Sequence, residues 1–268
     1  MLGILNVTPD SFSDGGRWHR RTDAVAHGLE MAAAGADVID VGGESTRPGA
    51  ARIPEAEELR RVLPVVAQLS ARGVPVAIDT TRARVAAAAL RAGAQLVNDV
   101  SGGRADPHMS RVVRDAGCRW ILMHNRGTSA TMHTMATYRD VVAEVQDELS
   151  TRVDAALAGG VAPDALIIDP GLGFGKKPAH NWQLLAQLDR LRGLGFPVLI
   201  GASRKSFLGT LLADRNGRPR PTGERDDATA AVTACAALAG AWGVRVHDVS
   251  TSIDAATVAA AIRHPDPA

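Results

Sequence analysis

The sequence is short of net charge and of long apolar runs, and each shortage excludes a class of partner. Its 268 residues carry 30 basic and 29 acidic side chains, so the net charge is only +1. Such a balance argues against a nucleic-acid partner and against an anionic membrane surface. The longest weakly apolar stretch, residues 228–244, is too short and too rich in alanine for a membrane span. We expect a buried or interface helix there, with the acidic residues 224–227 at its N-terminus.

Cysteine and lysine are also scarce. Cys118 and Cys235 lie far apart in apolar settings without metal-ligand spacing, so we expect both to be reduced core residues of a cytosolic protein. The N-terminal apolar run has no basic segment before it, which predicts a strand and not a signal peptide. Only three of the 30 basic residues are lysines, namely Lys176, Lys177 and Lys205, and the others are arginines. Each lysine is therefore a stronger candidate than usual for a role that arginine cannot fill.

Short runs of valine, isoleucine and leucine alternate with longer alanine-rich patterns of helical period. This order is typical of a parallel sheet. The eight strand-like runs cover residues 2–7, 37–43, 75–81, 95–100, 119–125, 165–170, 197–203 and 244–249. Eight such pairs in about 250 residues predict a (β/α)8 TIM barrel. We expect residues 1–268 to form this barrel as a single domain.

Helical patterns fill the segments between these runs. They are clearest in residues 54–73, 138–160 and 252–264. A glycine repeatedly precedes the next strand, as a helix cap should: Gly35, Gly73, Gly93 and Gly117.

A glycine-rich turn ending in lysine, "DPGLGFGK" (169–176), directly follows the sixth run and suggests a phosphate-binding loop. A P-loop needs a glycine separated by four residues from its Gly-Lys pair, and then Ser or Thr, whereas Pro170 and Lys177 occupy those places. The dinucleotide fingerprint fails too, because Lys176 stands where its last glycine belongs. The turn must therefore serve another purpose, and its first residue, Asp169, is the candidate for a binding role.

The strand-like runs end on polar side chains. These are Asn6, Asp40, Asp79, Asn98, His124 with Asn125, Asp169, Arg204 with Lys205, and then Arg245, His247 and Asp248. A buried carboxylate or amide without a partner costs roughly 1–3 kcal/mol or more. Because the carboxyl ends of the strands form the catalytic face of such a barrel, these residues predict a polar pocket. Structural roles remain open for Asp40, Asp99 and Asp248.

Two groups of side chains emerge at this face. One is rich in acceptors and suits a flat heterocycle with several N–H donors: Asp79, Asn98 and Asp169. The other is cationic, comes from the opposite part of the ring and suits a phosphate or diphosphate: Arg47, Lys205, Arg245 and His247. Asn6, next to the cationic group, could ligate Mg²⁺ together with phosphate oxygens.

Seven ordered motifs make the sequence recognisable. They are "NVTPDSFSDGG" (6–16), "DVGGESTRPGA" (40–50), "IDT" (78–80), "VNDVSGG" (97–103), "DPGLGFGK" (169–176), "GASRKSFLG" (201–209) and "RVHDV" (245–249). With them the chain resembles the dihydropteroate synthases of the pterin-binding family over nearly its whole length. The resemblance implies a homodimeric transferase that requires Mg²⁺ and is built on a single pterin-binding (β/α)8 domain. Its substrates would be p-aminobenzoate and 6-hydroxymethyl-7,8-dihydropterin diphosphate, and its products 7,8-dihydropteroate and pyrophosphate.

The resemblance also implies roles for residues at matching positions. The pterin would be held by Asp79, Asn98, Met123, Asp169, Lys205 and Arg245. The p-aminobenzoate would be bound by Thr46, Arg47, Pro48, Phe174, Lys205 and Ser206. The diphosphate would contact Asn6, Arg245 and His247, with Asn6 also on Mg²⁺. Catalysis would involve Asp14, Lys205, Arg245 and His247, with Asp14 closing the site from the first long loop.

Alternatives stand beside these interpretations. A related pterin-binding methyltransferase would share the acceptor group but lack the loops "TPDSFSDGG" and "STRPGA", both of which are present here. A non-catalytic paralogue would have lost the cationic residues. His124 and His133 could form a metal pair, although nothing near them has ligand spacing, and loop histidines are the default. Lys205 could form a Schiff base, but its motif favours contact with the pterin.

Overall fold

The computed structural model describes residues 1–8, 21–45, 52–127, 131–132 and 134–265. Eight parallel strands alternate with helices through these residues, as the sequence predicted. The strands are β1 (Leu2–Asn6), β2 (Val38–Gly42), β3 (Val76–Asp79), β4 (Leu96–Asp99), β5 (Arg119–Met123), β6 (Leu166–Asp169), β7 (Leu199–Ile200) and β8 (Gly243–Val246). Each lies within or next to its predicted run and is shorter by one to five residues, because turn residues at the run ends leave the ladder.

The strands close into a barrel. Hydrogen-bonded neighbours follow the order β6-β5-β4-β3-β2-β1-β8-β7. The two ends of this series meet through a parallel bridge between Ile168 and Val198, where the Ile168 N–H donates to Pro197 O at 2.9 Å. The predicted (β/α)8 barrel is therefore confirmed.

The helices that the structure describes surround the barrel. They are α1 (Arg21–Ala33), α2 (Glu55–Ser70), α3 (Ala83–Arg91), α4 (Met109–Ala116), α5 (Val141–Ala158), α6 (Pro178–Ala186), α7 (Leu188–Arg192), α8 (Ser206–Leu211), α9 (Asp226–Leu238) and α10 (Val249–Arg263). Asp226 and Asp227 occupy the first turn of α9, where negative charge complements the helix dipole. The Asp140 carboxylate caps α5 by accepting from the N–H groups of Val142 and Ala143.

Because side chains alternate along each strand, the buried apolar residues form two separate clusters, one outside the barrel wall and one inside it. Side chains that point outward pack with the helices in one large cluster, which includes Leu5, Ile39 and Val41. A small inner cluster fills the amino-terminal part of the barrel: Leu2, Ala77, Leu96, Ile121, Ile167 and Leu199. Because side chains alternate along a strand, the residue two positions further on also points inward. Four of these inner residues are thus followed at that distance by the pocket residues Asp79, Asn98, Met123 and Asp169.

One expectation about the core was wrong. Cys118 is buried, but Cys235 is exposed on α9. The buried residues of α9 are Thr229, Val232, Thr233 and Ala236. Since this helix is built from small side chains on every face, its sequence pattern does not reveal which face turns inward. Among the described residues, no helix is long and apolar enough to cross a membrane.

Candidate active site

A cavity of about 350 Å³ opens at the carboxyl ends of the strands. This volume lies within the range of about 300–1,000 Å³ that is usual for small-molecule sites. Every described residue to which the resemblance gave a role lines it: Asn6, Asp79, Asn98, Met123, Asp169, Phe174, Lys205, Ser206, Arg245 and His247. Four other polar residues at the strand ends do not line it: Asp40, His124, Asn125 and Asp248. The predicted residues Asp14, Thr46, Arg47 and Pro48 lie outside the described residues, as does His133.

A partly buried arginine joins the acidic groups of two other strands. Arg245 on β8 donates from Nε to Asp40 Oδ2 at 2.5 Å and from Nη2 to Asp79 Oδ2 at 2.7 Å. Asn98 Nδ2 donates to the same Asp40 oxygen at 2.8 Å. Because a carboxylate only accepts hydrogen bonds, Asp40 fixes which end of the Asn98 amide faces it. Asp40 is fully buried and thus orients two pocket residues from below.

Asp79 is the acceptor whose ionisation the site controls most strongly. Burial raises the pKa of its carboxyl to about 7, against the opposing effect of the Arg245 charge and with a further increase from Asp40. Desolvation of a carboxylate therefore outweighs the ion pair here. Burial also works against the charge of Arg245, but Asp40 and Asp79 outweigh it and raise the arginine pKa. The arginine stays charged, whereas Asp79 is poised near neutral pH.

The glycine-rich turn aims Asp169 into the cavity. Asp169 ends β6, and its Oδ1 accepts from the Gly171 N–H at 2.7 Å. Burial raises the pKa of the Asp169 carboxyl, while this hydrogen bond and Lys205 oppose the shift. Gly171 has φ +65°, and a Cβ at this position would lie 1.8 Å from His124 O. Only glycine fits at this position, so the glycine-rich turn of residues 169–176 can fold tightly around the Asp169 carboxylate.

Lys205, at the start of α8, lies beside the glycine-rich turn. Its ammonium Nζ is 4.1 Å from the centroid of the Phe174 ring, a cation–π contact. Burial lowers the Lys205 pKa to about 8, with Arg245 adding to the effect and Asp169 and Asp79 opposing it. The glycine-rich turn and α8 thereby meet in one wall of the pocket.

Ser203 orients His247. Its Oγ accepts from the His247 backbone N–H at 3.1 Å and lies 2.9 Å from His247 Nδ1. These two contacts hold the imidazole ring of His247 at the pocket wall.

The predicted separation of acidic from cationic residues is incomplete. Arg245, assigned to the cationic group, is paired directly with Asp40 and Asp79. Two of the three aspartates whose roles were open are structural. Asp99 accepts three hydrogen bonds from Ser101 and Gly103, and Asp248 caps α10 through Thr251. The third, Asp40, orients Asn98 and Arg245.

Sequence reasoning left Asp40 and Ser203 without a site role. Asp40 shares the strand parity of Val38 in the inner cluster, which could have identified it as a residue facing the barrel interior. Its contacts, in contrast, depend on β8, which lies more than two hundred positions away in the chain. Ser203 carried no signal, since a serine near a strand end is common in loops.

A barrel with ionisable groups buried at its carboxyl-end pocket is the architecture of an enzyme. The sequence matches the family described as pterin binding enzyme over residues 2–247. The chain belongs to this family.

Among similar proteins, the dihydropteroate synthase of Mycobacterium leprae is 57% identical over 268 residues, which cover 100% of this chain and 94% of that protein. The Yersinia pestis dihydropteroate synthase, solved with a sulfonamide drug complex, superimposes with a TM-score of 0.92 at 41% identity, covering 98% of this chain and 93% of that one. The Xanthomonas albilineans dihydropteroate synthase with 4-aminobenzoic acid gives a TM-score of 0.89 at 47% identity, covering 99% and 93%.

Substitution of Gly171 tests the geometry of the turn. Gly73 is a matched control, because it has φ +76° but no atom lies within 4 Å of the place that its Cβ would take. We expect Gly73→Ala to lower the free energy of unfolding by about 1–2 kcal/mol, the cost of a left-handed alanine. Gly171→Ala should cost clearly more, since its methyl group also meets His124 O. Urea unfolding of both variants measures this, and equal losses would contradict the assigned contact.

Proposed function

We propose that the chain condenses 6-hydroxymethyl-7,8-dihydropterin diphosphate with p-aminobenzoate, forming 7,8-dihydropteroate and pyrophosphate. The observation that carries this proposal is the convergence of Asp79, Asn98 and Asp169 with Lys205 and Arg245 in one cavity. A ring edge with several N–H donors needs acceptors, and a diphosphate needs cations. The names of the matched relatives support the same reaction.

The acceptors bind the pterin. Ionised Asp79 and Asp169 accept hydrogen bonds from the N–H groups of the heterocycle, and the Asn98 amide is oriented by Asp40. Met123, at the end of β5, supplies an apolar wall. Since both carboxylates have raised pKa values in the described fold, binding of a donor-rich ring compensates an ionised state that burial disfavours.

The cations stabilise the leaving group. When the C–O bond to the diphosphate breaks, its electron pair goes to the phosphate oxygen and positive charge develops on the pterin methylene. Arg245 and His247, which line the same cavity, are donors for the departing anion. Charges that are already in place need no reorganisation as the anion forms, which is the main source of electrostatic catalysis.

The residues around Asn6 fit Mg²⁺. Asn6, Thr8 and Ser45 bring neutral oxygen atoms to the pocket wall, and oxygen ligands are those that Mg²⁺ prefers. Gly42 leaves a space between Asn6 Oδ1 and Asp79 Oδ2, which would lie 3.6 and 3.7 Å from a Cβ at that position. No cluster of three or more His, Cys, Asp or Glu that could hold a metal occurs among the described residues. We therefore infer that Asn6 would hold the ion together with the substrate's diphosphate, where Mg²⁺ would neutralise phosphate charge.

Phe174, Lys205 and Ser206 form the subsite for p-aminobenzoate. Phe174 offers a ring face to the aromatic acid, and the N-terminus of α8 at Ser206 favours its carboxylate. The amine nitrogen attacks the pterin methylene, forms the C–N bond and releases a proton. An arylamine is already nucleophilic, so no strong base is required. The solved complex of the Xanthomonas protein with 4-aminobenzoic acid supports p-aminobenzoate as a substrate.

We also infer that the chain forms a homodimer. Large apolar side chains are exposed on α9, α10 and the turn between α9 and β8: Leu238, Trp242, Val258 and Ile262. Arg263 Nη1 donates to Ala237 O at 3.1 Å, which brings the ends of α9 and α10 together. Exposed apolar side chains grouped on neighbouring helices are typical of a surface that is covered in an assembly.

Pyrophosphate release in the presence of both substrates tests the reaction. We expect turnover by the wild-type chain that requires p-aminobenzoate and stops when Mg²⁺ is chelated. Asp169→Asn and Arg245→Ala should each lower kcat/KM by at least roughly 100-fold, as losses of preorganised charged groups do. Circular dichroism must show an intact barrel. A wild-type chain that releases no pyrophosphate, or one that transfers a methyl group from methyltetrahydrofolate instead, would contradict the proposal.

The pH dependence of kcat/KM tests the two poised groups. Asp79 must be ionised to accept hydrogen bonds, so activity should rise as pH increases through the Asp79 pKa of about 7. Lys205 must be charged, so activity should fall as pH increases through the Lys205 pKa of about 8. The profile is therefore a bell that reports groups of the free enzyme. Lys205→Arg should remove the alkaline limb, whereas the exposed Lys177→Arg should leave both limbs in place. An alkaline limb that persists unchanged in Lys205→Arg would assign it to another group.

A further inference from the structure

Lys176 is buried behind the glycine-rich turn and does not line the pocket. Its Nζ donates to three acceptors: Gly171 O at 3.0 Å, Phe174 O at 3.1 Å and His124 Nδ1 at 2.8 Å. An ammonium group has three N–H donors, so this arrangement uses all of them. One lysine thus ties the two carbonyl groups of the turn to the end of β5.

His124 passes this constraint on to a helix. Its side chain is fully buried, and its Nε2 lies 3.0 Å from Glu148 Oε2 on α5. Because a lysine ammonium only donates, Nδ1 must be the acceptor, and Nε2 carries the proton that is donated to Glu148. Burial, together with the Lys176 charge, lowers the His124 pKa to about 3, although the hydrogen bond to Glu148 opposes the shift. The histidine is therefore neutral near pH 7. Lys176 donates a hydrogen bond to His124, and His124 donates one to Glu148.

A second path connects the same turn to α5. Glu148 accepts from Arg126 Nε at 2.8 Å, and Arg126 Nη2 donates to Glu144 at 2.8 Å. The Arg126 guanidinium lies 3.9 Å from the centroid of the Tyr138 ring. Tyr138 Oη in turn donates to Gly175 O at 3.0 Å. The carbonyl groups at 171, 174 and 175 are thus all held by side chains that do not contact the cavity.

Fold stability alone does not explain a lysine at this position. Burial lowers the Lys176 pKa well below its ordinary value, with Asp169 as the main opposing charge, and the three acceptors around Nζ favour the ammonium form. An apolar side chain of similar volume often replaces a buried charge without loss of stability. What only a three-fold donor can do is hold two carbonyl groups and an imidazole at once. That geometry fixes the segment that carries Phe174, whose ring contacts Lys205.

We propose that Lys176, braced by His124 and Glu148, is a positioning residue that holds Phe174 against Lys205 and thereby forms the subsite for the arylamine substrate. The inference rests on the proposed function for the identity of that substrate. Two of the three pterin acceptors, Asp79 and Asn98, lie on other strands and are outside the constraint, whereas Asp169 is joined to the turn through the Gly171 N–H. Loss of Lys176 should therefore affect the two substrates unequally.

Steady-state kinetics of Lys176→Met test this inequality, with the exposed Lys177→Met as the control for loss of one positive charge. We expect the KM for p-aminobenzoate to rise at least roughly tenfold in Lys176→Met, the scale of losses on misplacing a substrate group. The KM for the pterin diphosphate should rise by a smaller factor, because Asp79 and Asn98 stay in place and only Asp169 is joined to the turn, through the Gly171 N–H. Lys177→Met should match the wild type in both.

Hydrogen exchange of residues 171–175 supplies a readout that needs no turnover. The Phe174 N–H donates to Gly171 O at 3.0 Å, and this bond should open more often once Lys176 no longer holds both residues. Glu148→Gln, at a partly exposed site, serves if Lys176→Met does not fold, and it should change exchange and KM in the same direction by a smaller factor. Unchanged exchange in these variants, or a KM for p-aminobenzoate that does not rise in a folded variant, would overturn the inference. A wild-type chain without activity would instead refute the proposed function and leave the exchange result to decide this inference.

Discussion

The ion pair of Arg245 with Asp40 and Asp79 is the interaction on which the site depends. It links β8 to β2 and β3 across the barrel interior, at 2.5 and 2.7 Å. Without the arginine, two buried carboxylates would face each other across strands, and like charges in a low-dielectric site repel strongly. With it, Asp40 can orient Asn98, and Asp79 remains available near neutral pH. One guanidinium thus organises the acceptor wall.

This arrangement is held at a cost in stability. Asp79 has a higher pKa in the fold than in water, so on this group alone stability falls as pH rises from about 4 to about 7. Asp40 Oδ1 is buried without a hydrogen-bond partner among the described residues, which adds a further cost. Burial likewise lowers the pKa values of Lys176 and of the partly buried Lys205. The apolar inner cluster and the outer helix packing compensate these groups, as is usual where a fold carries a preorganised site.

Much of the fold could be predicted from the sequence, because parallel strands buried on both faces have a strong apolar signal and polar residues at their ends are rare without function. The pocket residues Asp79, Asn98 and Asp169 followed from that reasoning. The side-chain contacts in the pocket could not be predicted in this way, because the pairing of Arg245 with Asp40 depends on side-chain direction across distant strands. The same limit left Lys176 unassigned: its acceptors are backbone carbonyl groups and a histidine 52 positions away, which no motif encodes.

A double-mutant cycle on Asp40 and Arg245 tests the central interaction most directly. Calorimetry would give the affinity of the pterin diphosphate for the wild type, Asp40→Asn, Arg245→Lys and the double variant. We predict that Asp40→Asn weakens binding although Asp40 does not line the cavity, and that the two effects couple by about 0.5–3 kcal/mol, as they do for groups in contact. Strictly additive effects, or an unchanged affinity in Asp40→Asn, would contradict the role given to this ion pair.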